Sequence, residues 1–127
     1  MKKMIMMAAL LALGGMAIVP ATADAAVWKK CTTCHNFTHE AKVGPGLAGV
    51  VGRKAASVKG FKYKYGKYIT GDAWVWDEAH LREWMCNAKK AVKKFTGNPK
   101  AKTRMPKLKV CDPAKQDEVL AKLKSLK

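Results

Sequence analysis

The sequence predicts a small all-α protein, a few short helices joined by loops, and three observations carry that reading. Leu81, Trp84, Met85, Ala88, Val92 and Phe95 recur at three- and four-residue steps, the apolar face of one helix. Asp112-Pro113 suits the N-cap and first helical position of a final helix, whose inner stripe is Val119, Leu120, Leu123 and Leu126. Cys31-Thr32-Thr33-Cys34-His35 has the C-x-x-C-H spacing of covalent c-type haem attachment, which gives short helices a flat group to wrap around. At 127 residues the chain is long enough for one small domain.

The chain opens with Met1-Lys2-Lys3, an apolar run from Met4 to Val19, then Pro20 and the small residues Ala21 to Ala26. Basic start, apolar middle and small-residue end predict a secretory signal peptide over residues 1–23, cleaved after Ala23 or alternatively after Ala25. A retained membrane anchor is the competing reading, but the run is short for a span of about 20 residues. Export places the protein where disulfides persist. Five of the seven methionines lie in the signal, so only Met85 and Met105 remain as thioether ligands.

Asp24 is a candidate cap for a short helix running from Ala25 through Trp28 into the haem motif. In that motif two thiols can each add to a haem vinyl group, and His35 stands where a proximal ligand is needed. A redox dithiol or half a zinc site would use the same cysteines. The first needs a βαβ context that is missing; the second needs another close ligand pair, and Cys86 and Cys111 stand singly.

Val43-Gly44-Pro45-Gly46-Leu47 reads as a loop in which the Pro45 carbonyl can accept from the His35 ring and orient it. His39 sits too close to the motif to reach the opposite haem face and is read as surface. Leu47 to Gly52 carries two glycines that would let backbone approach a flat ligand. Lys59 to Tyr68 alternates aromatic and lysine, which by period alone fits a strand or a base-stacking stripe. Asp77 is the predicted N-cap of the long helix, with Trp76 and Leu81 as a hydrophobic staple, and Gly97-Asn98-Pro99 ends it. His80 reads as an exposed first-turn histidine and Met85 as core. Cys86 and Cys111 flank the Met105 loop; a disulfide between them would close it, and two buried thiols are the alternative.

Together, Cys31 to His35, Val43 to Leu47, Gly52-Arg53-Lys54, Gly60-Phe61-Lys62-Tyr63, Trp76, Leu81 to Met85 and Thr103-Arg104-Met105 resemble a class I cytochrome c, over essentially the whole of residues 24–127. The long spacing between Trp84 and Met105 is similar to that of the long-loop bacterial carriers. The resemblance implies a class I cytochrome c fold around one covalent haem c, with His35 and Met105 as axial ligands. It implies that Arg53, Tyr63 and Trp76 meet the propionates, that residues 59–68 form an extended loop over the haem edge, and that Trp84 touches the methionine ligand. Lys107 stands where the family often has an aromatic residue.

Formal net charge is +16; without Lys2 and Lys3, 23 basic residues stand against nine acidic ones, or +14. Such a surface favours acidic partners. Nucleic acid is discounted, since the chain is exported and carries no nucleic-acid motif; an anionic membrane is at most a peripheral contact. The resemblance implies a monomeric periplasmic electron carrier, not an enzyme, that docks through lysines such as Lys29, Lys42, Lys102 and Lys107. Its partners would be a quinol–cytochrome c reductase, an oxidase, a reaction centre or a dehydrogenase. A peroxidase-like enzyme or gas-binding haem sensor is the alternative, and needs Met105 to be displaceable.

Overall fold

The computed structural model describes residues 26–127 together with Gly14 and Gly15. Apart from those two glycines, the predicted signal lies outside the described residues, as does the Asp24 cap. The elements are a 3-10 helix over Val27–Thr33, a 3-10 turn over Gly66–Tyr68, α1 over Glu78–Thr96 and α2 over Pro113–Ser125. Among the described residues there is no strand, only an isolated antiparallel bridge between Lys54 and Val75. No described helix is long and apolar enough to cross a membrane.

The first helix differs from the expected one. It is 3-10 in type, begins at Val27 and has Ala26 at its N-cap with no side-chain cap. Its few apolar residues cannot sustain an isolated helix, and α2 holds it instead. Val27 N–H donates to Glu118 Oε1 at 2.9 Å. Lys122 Nζ lies 4.6 Å from the Trp28 ring centre, and Trp28 tilts against Phe37 at 5.5 Å.

Asp77 caps α1 by accepting from His80 N–H at 2.9 Å, and Gly97 closes it in the left-handed region at φ 65°. The buried face is Leu81, Trp84, Met85, Ala88, Ala91 and Val92; Phe95, expected on it, is only half-buried at the last turn. The periodicity gave no sign of a break inside α1. At Asn87 the backbone leaves helical geometry (φ −155°, ψ 86°). The Met85 and Cys86 carbonyls there accept from Val110 N–H at 3.1 Å and Lys109 N–H at 3.2 Å, and the Asn87 side chain caps the next turn by accepting from Lys90 N–H. A segment inserted into the i to i−4 ladder is a recognised cause of a kink.

Asp112 caps α2 by accepting from Ala114 N–H at 2.8 Å and Lys115 N–H at 3.3 Å. Val119, Leu120 and Leu123 are buried; Leu126 follows the helix as its C-cap and is half-buried. Ion pairs Arg82–Asp117 and Lys124–Glu78 tie α2 to α1. Between α1, α2 and the loops lies one core, to which the loops add Leu47, Val50, Tyr65, Trp76 and Val110. Full burial of a Leu or Val is worth about 1.5–3 kcal/mol, so this shared core holds the long loops.

Candidate functional site

One apolar cavity, about 1100 Å³ of empty space with its mouth included, opens between the haem-motif segment, the 61–65 loop, the 103–108 loop and the buried faces of α1 and α2. Cys31, Cys34, His35 and Met105 all line it. Both cysteines are free thiols. Burial pushes the Cys31 thiol up, the opposite of what a thiolate-driven dithiol needs.

The 3-10 helix delivers His35: Cys34 N–H and His35 N–H both donate to the Cys31 carbonyl, at 3.2 and 2.9 Å. His35 Nδ1–H donates to the Pro45 carbonyl at 2.7 Å, which leaves Nε2 with its lone pair. Burial holds the imidazole below its ordinary pKa; the Pro45 carbonyl opposes this and the Arg53 charge reinforces it. The ring is neutral at pH 7, as a metal ligand must be. Gly44 makes room for it. A Cβ there would stand 2.3 Å from His35 Cε1 and 2.7 Å from Nδ1.

Met105 is held from α1. Trp84 Nε1–H donates to its sulfur at 2.9 Å, and Met105 N–H donates to Thr103 Oγ1 at 3.2 Å. Trp84 is buried and stands edge-on to Trp76, ring centres 4.9 Å apart. Met85 also lines the cavity, but it is buried in the core of α1.

Arg53, Tyr63 and Trp76 line the same cavity. Arg53 is anchored first to its own loop: Nη1 donates to the Gly46 and Ala48 carbonyls at 3.1 and 3.3 Å, and Nη2 to Gly46 at 3.1 Å. The seam around the Lys54–Val75 bridge fixes both its backbone and that of Trp76, with Trp76 N–H donating to the Arg53 carbonyl at 2.8 Å. Burial raises the Tyr63 and Tyr65 hydroxyls, so both are protonated donors at neutral pH. Residues 59–68 form turns and one 3-10 turn, not a strand. Lysines 59, 62, 64 and 67 point to solvent, while Tyr65 is buried among aromatic rings.

One expectation changes. Gly49 and Gly52 do not approach the cavity; they carry turns at φ 73° and 86° with nothing near a built Cβ. The close approach falls on Gly44 and on Gly46, where a Cβ would stand 2.3 Å from the Thr38 carbonyl. Lys107 is exposed, and Leu108, which the sequence reading passed over, lines the cavity. Cys86 and Cys111 lie outside the cavity and are bonded to each other, with Cα atoms 4.5 Å apart.

Charge is unevenly spread. Residues 41–71 and 84–111 contain sixteen Lys and Arg and no acid, and the charged residues lining the cavity, Arg53, Lys62, Lys64 and Arg104, are all basic. Asp77, Glu78, Glu83 and Asp117 are instead engaged on the helices by His80, Lys124, Lys94 and Arg82. Val43, which lines the cavity, is 64% exposed.

These residues fit a haem. Two free thiols and a neutral, oriented imidazole share an apolar cavity with a thioether, and a glycine clears the ring's position. No group of three or more His, Cys, Asp or Glu that could hold a bare metal ion occurs among the described residues.

No family model matches the chain. Curated relatives do. It is 36% identical over 110 residues to cytochrome c2 of Rhodospirillum rubrum, covering 84% of this chain and 97% of that one. It is 39% identical over 89 residues to cytochrome c-550 of Paracoccus versutus, covering 61% of this chain and 58% of that one. The chain thus spans less than two thirds of that relative's length. Among solved structures, the ferricytochrome c2 of Rhodopseudomonas palustris superposes with a TM-score of 0.66 at 33% identity, over 80% of this chain and 94% of that one. The likeness covers both sequence and fold: the chain belongs to the class I cytochromes c, which carry one covalent c-type haem.

Proposed function

We propose that this protein is a periplasmic one-electron carrier, exported by residues 1–23 and working as a monomer. Cys31 and Cys34 would hold the haem as thioethers, and His35 and Met105 would ligate its iron. The bound haem supplies the Fe(III)/Fe(II) couple. The chain's own residues set the conditions. Pro45 fixes the His35 tautomer, and Trp84 holds the Met105 sulfur. Apolar walls keep water out. Arg53, Tyr63 and Trp76 supply donors for the propionates, with Arg53 sharing its guanidinium with the Gly46 and Ala48 carbonyls.

The observation that carries this reading is the placement of His35 and Met105 on one apolar cavity with both thiols. With His35 and Met105 both ligating, a bound haem would exchange one electron with little rearrangement of the residues that hold it. The basic surface, including the exposed Lys42, Lys102 and Lys107, favours fast, salt-sensitive docking of acidic redox partners. The partner classes for such a carrier are a quinol–cytochrome c reductase, an oxidase, a reaction centre or a dehydrogenase.

The test is the near-red Fe(III)–S absorbance of the ferric holoprotein. It should be present, survive Met85→Leu and vanish in Met105→Ala while the covalent haem is retained. Loss in Met85→Leu alone would reassign the ligand. A high-spin resting spectrum would overturn the carrier.

A further inference from the structure

The bridge between Cys86 and Cys111 joins the two ends of the segment that carries Met105. Along the same seam run the hydrogen bonds from Val110 N–H to the Met85 carbonyl and from Lys109 N–H to the Cys86 carbonyl. Gln116, itself buried, stitches a third strand of chain to it: its Nε2 donates to the Val110 carbonyl at 3.0 Å and to the Arg82 carbonyl at 3.2 Å. Making this seam breaks α1 at Asn87 and puts Lys109 in the left-handed region at φ 59°, both unfavourable locally. Two residues before Cys86 stands Trp84, whose indole N–H holds the Met105 sulfur. The bridge and the donor to the ligand sulfur are therefore carried by one turn of α1, while Met105 itself lies on the loop they hold.

We propose that the Cys86–Cys111 bridge and the seam it crosses form a latch that positions Met105 and keeps its side of the cavity closed to small neutral ligands. This rests on Met105 being the second axial ligand. With the latch closed, residues 87–110 are tethered at both ends. Their first half stays in the core as the end of α1, so withdrawing Met105 means bending the 97–110 loop between a fixed helix and a pinned end. Opened, the far end of that loop depends on two backbone hydrogen bonds and Gln116, and the Met105 segment can swing away from the cavity. Cys86 and Cys111 are positioning residues; neither touches the haem cavity.

Cys111 is exposed, so the bridge is within reach of a reductant. With a water-soluble phosphine the S–S bond breaks, both sulfurs become thiols with protons from water, and the phosphine takes the water oxygen as its oxide.

The experiment uses ferric holoprotein and imidazole as the probe. The Cys86→Ser/Cys111→Ser variant is compared with the parent at 25 °C, with far-UV circular dichroism as the check that both are folded. As a second route, parent protein is reduced with the phosphine, its thiols are capped, and the haem is reoxidised. The latch predicts an imidazole association constant at least tenfold higher by either route, with a weaker near-red band. An unchanged constant and band, with only the unfolding midpoint lowered, would overturn the latch and leave the ligand assignment standing. Absence of the band from the parent protein would overturn both.

Discussion

Gly44→Ala tests the cavity's tightest contact. The added Cβ would sit 2.3 Å from His35 Cε1, 2.7 Å from Nδ1 and 2.9 Å from Nε2. Carbon–carbon contact becomes favourable near ~3.5 Å, so the ring edge must retreat by roughly 1.2 Å. That movement breaks the 2.7 Å bond to the Pro45 carbonyl, because Pro45 belongs to the same short loop as Gly44 and cannot follow the ring. Overpacking costs about 1–3 kcal/mol, and the lost bond about 1 kcal/mol more. The expected destabilisation is about 2–4 kcal/mol. Gly44 does not occupy the left-handed region, so backbone strain contributes nothing and the whole effect belongs to the contact. The assay is guanidinium unfolding of the holoprotein, read with the haem spectrum. The midpoint should fall by roughly 1 M with the slope unchanged, and the low-spin spectrum should be perturbed. Gly66→Ala is the control: its Cβ would meet only Tyr63 Cβ at 3.7 Å, and it should gain about 0.4–1 kcal/mol through the unfolded chain. A Gly44→Ala protein within about 0.5 kcal/mol of the parent, with an unaltered spectrum, would refute the packing argument, since ordinary surface changes are that small.

Other outcomes follow from the same contacts. Trp84→Phe keeps most of the ring and removes the N–H that holds the Met105 sulfur; sulfur becomes a stronger donor to ferric iron, so cyclic voltammetry should find a lower reduction potential. Lys109→Gly relieves a left-handed residue on an exposed turn and should stabilise by about 0.5–1 kcal/mol in thermal unfolding. The backbone and ring N–H groups of His80 hold the Asp77 carboxyl below its ordinary pKa. A depressed folded-state pKa gives stability that is present above the unfolded value and lost as pH falls through the folded one. Asp77→Asn should therefore lower Tm at pH 7 and have almost no effect at pH 2. Arg53→Lys exchanges a planar fork for a single ammonium and cannot hold both the Gly46 and Ala48 carbonyls; two-dimensional NMR should show the 46–48 amides shifted, and unshifted amides would discount the anchor.

What the sequence settled was local. The C-x-x-C-H spacing announces haem attachment because two thiols and an imidazole fall within five residues. The caps at Asp77 and Asp112 and the buried faces of α1 and α2 follow from helical period and capping chemistry, both readable over a few turns. Tertiary structure decided everything that depends on distant segments meeting. Asn87 can cap the turn that follows, as asparagine does at helix starts, but the break falls there because the Lys109–Val110 backbone takes the carbonyls of Met85 and Cys86. Gly44, Gly46, Gly49 and Gly52 look alike in the sequence, but two of them clear space for neighbours and two supply left-handed turns. The resemblance sends Arg53 to the propionates, but it gives no sign that the guanidinium is also bound to two carbonyls of its own loop. Period and composition describe a residue's near neighbours, whereas a clash, a shared carbonyl or a sulfur's donor depends on which remote segment packs there.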